Sequence, residues 1–258
     1  MGTMLKNFSA LCLCISLLAC SLPQPPKKVP SRPSAQPSEH DLLGQARVAL
    51  KFGDPRGAMN LASKSIKKNP KNRDAYVILA RSLALQNRLD DSARYYQRAL
   101  DMGLRDRNIY AELGSIYDVL GNYEKALSVY QKYLKQKPND ADFHNQIGLS
   151  LLALQQLETG FTHLEKACTL KPKNIEFKKD LTYALIETKQ FKKAQTLLEK
   201  MLAQQENNIE FLHLKVRLRL RQNNGQEAQE LLAKILTLDP ENPEAKFLLK
   251  RIQRLVRP

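Results

Sequence analysis

Beyond Glu39, apolar and small residues return along the chain with one long period. Prolines at 70, 138, 172 and 240 stand 68, 34 and 68 residues apart, all multiples of 34. A repeat of that length marks a stacked array of small units. Alignment on it gives six segments, 39–72, 73–106, 107–140, 141–174, 175–208 and 209–242, with no insertion or deletion. The third segment is the clearest, with Tyr110, Leu113, Gly114, Tyr117, Ala126, Tyr130 and Pro138. Gly114 and Ala126 are small enough for two helices of one hairpin to approach closely. Leu113, Tyr117 and Tyr130 are expected to fill the gaps between hairpins. Gly121 and Asn122 break the chain between helices, and Pro138 ends the second helix. Each segment therefore predicts a helix–turn–helix.

The other segments keep parts of this framework. The second has Tyr76, Leu79, Ala80, Leu83, Tyr96 and Ala99, with Leu104 in place of proline. The fourth has Ile147, Gly148, Leu151, Gly160, Leu164, Ala167 and Pro172. The first keeps Ala46, Ala58, Ala62 and Pro70, the fifth Leu181, Leu185, Ala194 and Leu198, and the sixth Val216, Ala228, Leu232 and Pro240. Residues 243–256 then predict one more helix, with Phe247, Leu248, Ile252, Leu255 and Val256 on one face and Lys250, Arg251 and Arg254 facing solvent. Such a helix covers the last apolar face of an array.

This spacing resembles the tetratricopeptide repeat, TPR, whose fold is an all-α, right-handed solenoid of helical hairpins. Here it implies six repeats with a C-terminal capping helix over 243–258. By the same resemblance, the second, fifth, ninth and twelfth positions of each repeat face a concave groove. The first two repeats contribute Leu43, Arg47, Leu50, Val77, Arg81 and Ala84. The middle supplies Ala111, Ser115, Asp118, Asn145, Leu149 and Leu152, and the last two repeats Lys179, Tyr183, Ile186, His213, Arg217 and Leu220. A mixed apolar lane with basic residues towards both ends implies an extended or helical protein partner with apolar anchors and acidic flanks. The carboxylate clamp of chaperone-binding members uses Lys and Asn at the fifth and ninth positions of one repeat. The pairs here are Leu43 and Arg47, Val77 and Arg81, Ala111 and Ser115, Asn145 and Leu149, Lys179 and Tyr183, and His213 and Arg217. None of them fits.

The N-terminus adds an address. Lys6 precedes an apolar run over 7–19 that ends at Cys20. Roughly 20 apolar residues span a bilayer, so this run reads as a signal sequence over 1–19. Leu17-Leu18-Ala19-Cys20 resembles the bacterial lipobox, although a small residue is usual where Leu18 stands. The resemblance implies cleavage before Cys20 and lipidation of its thiol. An ordinary signal with an incidental cysteine, or an uncleaved anchor, is the alternative. Ser21 implies the outer membrane of a Gram-negative bacterium, through lipid attached on the periplasmic side. Residues 20–38 then form a tether, whose stretch 21–38 holds six of the thirteen prolines and no aromatic residue. An extended chain of that length reaches about 55 Å. Cys12 and Cys14 leave with the signal, and Cys168 remains as a small apolar residue with no disulfide partner.

The formal charge is +15, of which Lys6, Lys27, Lys28 and Arg32 supply four. Such a surplus favours anionic surfaces, whether membrane, wall polymer or nucleic acid, without choosing among them. An exported protein is not expected to meet nucleic acid. Lys215, Arg217, Arg219 and Arg221 alternate along one helix and are expected to be a solvated end-face. His40, His144, His163 and His213 are dispersed in sequence, with no metal-ligand spacing, phosphate-cradling loop or nucleophile elbow. No metal, cofactor or catalytic residue is expected, and the chain reads as a binding scaffold rather than an enzyme.

Lipobox, tether and repeats together resemble two bacterial families. LGSIYDVLGNYEKALSVYQ (113–131), NQIGLSLLALQQLETGFTHLEKA (145–167) and DLTYALIETKQFKKA (180–194) resemble the tight-adherence (Flp) pilus assembly lipoproteins. Gln146, Ile147, Thr182 and Tyr183 depart from that pattern. Six repeats on a lipid anchor are also similar to the type IV pilus pilotin family, whose members help a secretin ring reach or assemble in the outer membrane. The implied partners are secretin or pilus-assembly subunits. The alternative is a periplasmic adaptor that regulates peptidoglycan enzymes.

Overall fold

The computed structural model describes residues 38–256, with side chains to 252. The signal sequence, Cys20 and the tether up to Pro37 lie outside the described residues, as do the side chains of Arg254, Leu255 and Val256. The described residues form thirteen helices and no strand. They run α1 (Glu39–Lys51), α2 (Pro55–Lys68), α3 (Arg73–Leu85), α4 (Leu89–Asp101), α5 (Arg107–Val119) and α6 (Tyr123–Leu134). After these come α7 (Ala141–Ala153), α8 (Leu157–Leu170), α9 (Ile175–Glu187), α10 (Phe191–Gln204), α11 (Ile209–Arg221), α12 (Gly225–Leu238) and α13 (Pro243–Val256). Odd-numbered helices begin every 34 residues, and so do even-numbered ones.

Local chemistry sets these boundaries. The residue before each odd helix is Ser38, Asn72, Asp106, Asp140, Asn174, Asn208 or Asn242. Each side chain accepts a hydrogen bond from a backbone N–H of the first turn. Such a cap is worth about 1 kcal/mol, and here it recurs at every repeat boundary. Each odd helix of a hairpin ends in a turn whose left-handed residue is Gly53, Asn87, Gly121, Gln155, Lys189 or Asn223, again 34 apart. At Asn87 the turn closes through Asn87 N to Ala84 O, 2.9 Å, and Arg88 N to Leu83 O, 2.9 Å. The same pair of bonds closes the other five turns and satisfies carbonyls that the helix end leaves open. Glycine takes this conformation without steric cost, yet four of the six positions carry a side chain.

Within each hairpin the two helices cross where both sequences are small. The facing pairs are Ala46 with Ala58, Ala80 with Ser92, Gly114 with Ala126, Gly148 with Gly160, Thr182 with Ala194, and Val216 with Ala228. All twelve are buried. Ser92 Oγ satisfies itself by donating to Ala80 O at 2.7 Å. A Cβ on Gly148 would lie 3.0 Å from the Gly160 carbonyl oxygen and 2.7 Å from Leu164 Cγ. On Gly114 it would fall 2.1 Å from the Tyr130 ring.

The close crossing leaves larger residues to bridge successive hairpins. Phe143 of α7 stacks on Tyr133 at 4.1 Å between centroids and meets the edge of Tyr130 at 5.6 Å. Ile186, Leu198, Phe211 and Leu218 belong to a second core cluster towards the C-terminal end. Cys168 is half-buried and packs against this core. The final helix closes the stack with Ala245 and Ile252, which pack with Val216, Leu232 and Ile235. Phe247 is not on that face. It is 64% exposed, because the helix turns the small Ala245 inwards and Phe247 lies about 200° further round. No helix among the described residues is long and apolar enough to cross a membrane.

Gly148→Ala is expected to destabilise the fold by about 1–3 kcal/mol, since backbone on one side and Leu164 on the other leave the methyl no space. Lys189→Gly is expected to stabilise it by about 0.5–1 kcal/mol by relieving the left-handed residue. Urea unfolding of the two variants beside the parent chain measures both.

Candidate functional site: the groove along the first helices

The first helices of successive hairpins lie side by side, and their facing residues line a groove. Its N-terminal half is the larger, about 1040 Å³, walled by α1, α3 and α5. Arg47, Val77, Arg81 and Ser115 meet there, with Leu50, Ala84 and Ala111. A second cavity of about 420 Å³ lies between α11 and α13 and takes in His213, Arg217 and Leu220.

Side chains expected to point at a partner bind polar residues of the next repeat instead. Arg47 pairs with Asp74 at 2.8 Å. Arg81 grips Glu112 with one edge of its guanidinium, Nε at 2.9 Å and Nη2 at 2.8 Å, one to each carboxylate oxygen, and this contact raises its pKa. The Tyr96 hydroxyl donates to the same carboxylate. Asp118 accepts from Tyr130 and from Ser150 of the next repeat, each at 2.7 Å. Burial still raises its pKa despite those bonds, which favour the charged form. Asn145 donates to Asp180 at 2.6 Å, and Lys179 bridges Glu176 at 3.0 Å and Glu210 at 2.8 Å. A polar ladder thus follows the groove floor.

The ladder corrects several sequence-based expectations. Ile186 is fully buried in the core, and Asn145 is buried beneath the surface. Leu149 is half-buried against that core, and Leu152 packs on Gly160. Neither Ile186 nor Asn145 is available to a partner, because adjacent first helices pack too closely there. Asp118 is a link between hairpins. Tyr183 remains 44% exposed with the Arg217 guanidinium 4.7 Å above its ring. Three of the four residues in the alternating basic run carry counterions: Arg217 and Arg221 both pair with Glu187, and Arg219 with Glu227. Arg47 and Arg81 likewise carry their own counterions and do not create a basic N-terminal end.

Counting groove positions misses two exposed apolar residues at the ends of first helices. Leu85, 65% exposed, stands on the lip of the large cavity, and Val119, 71% exposed, is its equivalent one repeat on. Their signal in the sequence is an apolar residue at the last position of α3 and of α5, where burial is not required.

Two histidines distant in sequence also meet. His144 Nδ1 lies 3.0 Å from His163 Nδ1, and His144 Nε2 lies 2.9 Å from Pro138 O. A carbonyl only accepts, so Nε2 of His144 carries a proton and its Nδ1 accepts from His163. Burial lowers the pKa of both, helped at His163 by the charge of His144 and at both by Lys166. Among the described residues no group of three or more His, Cys, Asp or Glu is arranged to hold a metal ion.

Three family models match along this array. Tetratricopeptide-repeat models match residues 43–107 and 151–218, and a TPR-repeat model matches 114–155. The chain belongs to the tetratricopeptide-repeat proteins. Solved structures share the fold at low identity. MamA from Desulfovibrio magneticus RS-1 is 18% identical with a TM-score of 0.61, over 65% of this chain and 95% of its own. YrrB, described as a TPR protein with an unusual peptide-binding site, is 21% identical with a TM-score of 0.53, over 73% and 97%. PilF of Pseudomonas aeruginosa is 16% identical with a TM-score of 0.61, over 83% and 97%. No curated protein matches the chain significantly.

The histidine pair sets a pH dependence. With both pKa values held below 6.5, the unfolded chain binds more protons than the folded one near pH 6. Stability is therefore full above 6.5 and lost as pH falls below it. Replacing His144 and His163 together by Gln is expected to flatten the loss between about pH 7.5 and 5.5, read from melting temperatures across that range.

Proposed function

We propose that this protein is an assembly factor for a pilus or secretion apparatus, held at the outer membrane by lipid on Cys20 and binding subunits through its groove. A tetratricopeptide-repeat array is a scaffold for protein–protein interaction. The observation that carries the finer reading is an unbroken run of six hairpins behind a lipobox-like cysteine and a proline-rich stretch. That arrangement resembles the pilotin and tight-adherence lipoprotein families. The similarity to PilF supports a shared architecture and no more than that.

The N-terminal half of the groove is the surface on which a subunit would seat. Arg47 and Arg81 are answered there by Asp74 and Glu112, so apolar contact with Leu50, Leu85 and Val119 supplies the affinity. The outer-membrane address places the groove in the periplasm, where pilus and secretin subunits pass before assembly.

In-cell crosslinking, with detergent extraction of the envelope and mass spectrometry of the crosslinked proteins, tests this reading. Secretin or pilus-machinery subunits on the groove are the expected result. Peptidoglycan hydrolases or synthases in their place would overturn it and make the protein a wall-enzyme adaptor. Leu85→Glu with Val119→Glu is expected to abolish the crosslinks and surface pili while the melting temperature holds, since both side chains are exposed.

A further inference from the structure

The two ends of the groove differ in their charge balance. Around the large cavity, Arg47 answers Asp74 and Arg81 answers Glu112. Around the cavity between α11 and α13, Arg217, Arg221 and Arg251 gather with Glu244 as the one carboxylate of the lining. Glu187 lies behind, taking one bond from Arg217 and one from Arg221. Each guanidinium carries five N–H donors, so both keep donors to spare. Arg251 is exposed and has no ion-pair partner among the described residues. His213 brings a buried Nδ1 with no hydrogen-bond partner, and Glu244 stands 3.7 Å away, too far to bond it. The apolar wall is Leu220, Leu248 and Ile252.

We infer that this end cavity binds a carboxylate of a partner polypeptide, with an apolar side chain beside it on Leu220 and Leu248. Arg251 and the spare donors of Arg217 and Arg221 would hold the two oxygens, and His213 Nδ1–H would donate from the wall. Guanidinium fits a planar two-oxygen anion better than ammonium does, and every cation of this cavity is an arginine. A chain end and an acidic side chain present the same group, so either supplies the ligand. The inference rests on reading the groove as a protein-binding surface and gives it a direction. Apolar anchors seat over α1, α3 and α5, and the carboxylate lies by α13.

Three acetylated tetrapeptides test it by NMR titration of the isotope-labelled full chain. One ends in two leucines with a free carboxylate, the second is its C-terminal amide, and the third is an amide with glutamate before the last leucine. Saturable shifts at His213, Arg217, Arg221 and Arg251 are expected with a carboxylate-bearing peptide and not with the plain amide. The peptide that binds identifies the source as chain end or side chain. Arg251→Gln, made at an exposed side chain with no bond among the described residues, is expected to weaken binding about tenfold. Equal shifts from the plain amide, no shifts from either carboxylate peptide, or unchanged binding by Arg251→Gln would each overturn the site. The Leu85 and Val119 double variant separates the two ideas. Peptide binding kept in that variant, with crosslinks lost, places the carboxylate site apart from the apolar seat. Crosslinks kept by the parent chain without peptide binding leave the scaffold reading standing alone.

Discussion

The crossing of two small residues inside each hairpin fixes how far apart the helices stand. With Gly148 against Gly160, or Ala46 against Ala58, the backbones approach so closely that larger side chains are displaced to the flanks. There they meet the next hairpin, as Tyr130 and Tyr133 meet Phe143. The stack and the groove are consequences of that displacement. Because the same constraint recurs every 34 residues, the first helices come to lie beside one another. Charges on one first helix then face charges on the next.

That juxtaposition explains the polar ladder, and magnitudes decide its role. Arg47 with Asp74 and Arg81 with Glu112 are each a third or more exposed, and pairs of that kind are worth about 0–1 kcal/mol. Burial of an aromatic such as Tyr130 or Phe143 is worth about 1.5–3 kcal/mol. The ladder is therefore a minor contributor to stability. What it changes is the surface, since a basic residue holding its own counterion no longer attracts a partner's acid.

The repeat length, the hairpin count, the breaks at Gly121 and Pro138 and the small crossing residues were legible because each is a local requirement of one position. The caps at 38, 72, 106, 140, 174, 208 and 242 were equally legible as Ser, Asn or Asp at a fixed interval, though prolines draw the eye first. Phe247 was misplaced because bulk was taken to mark the buried face, whereas α13 packs close through Ala245. The groove was harder to read. Counting positions treats every first helix as equally rotated, yet Ile186 is core and the residue at the same position of repeat two, Ala84, lines a cavity. Ion pairs were invisible for a different reason. The partner of Arg81 is 31 residues away, and that of Asn145 is 35 away. Only folded geometry joins them. His144 and His163 met for the same reason, as residues on two helices of one hairpin.

Neutralisation along the ladder also decides where an acidic group on a partner can gain anything. A carboxylate arriving at the Nε–Nη2 edge of Arg81 must displace Glu112 from a two-bond grip, and it then recovers about what it disrupts. The exchange leaves Glu112 without its counterion and yields no net affinity. At the α11–α13 end Arg251 has no counterion among the described residues, and Glu187 occupies only part of what Arg217 and Arg221 offer. The same anion there adds bonds without breaking any. A fold built by repetition thus acquires a direction, because among the described residues α13 brings a single carboxylate, Glu244, to the arginines lining the cavity at this end.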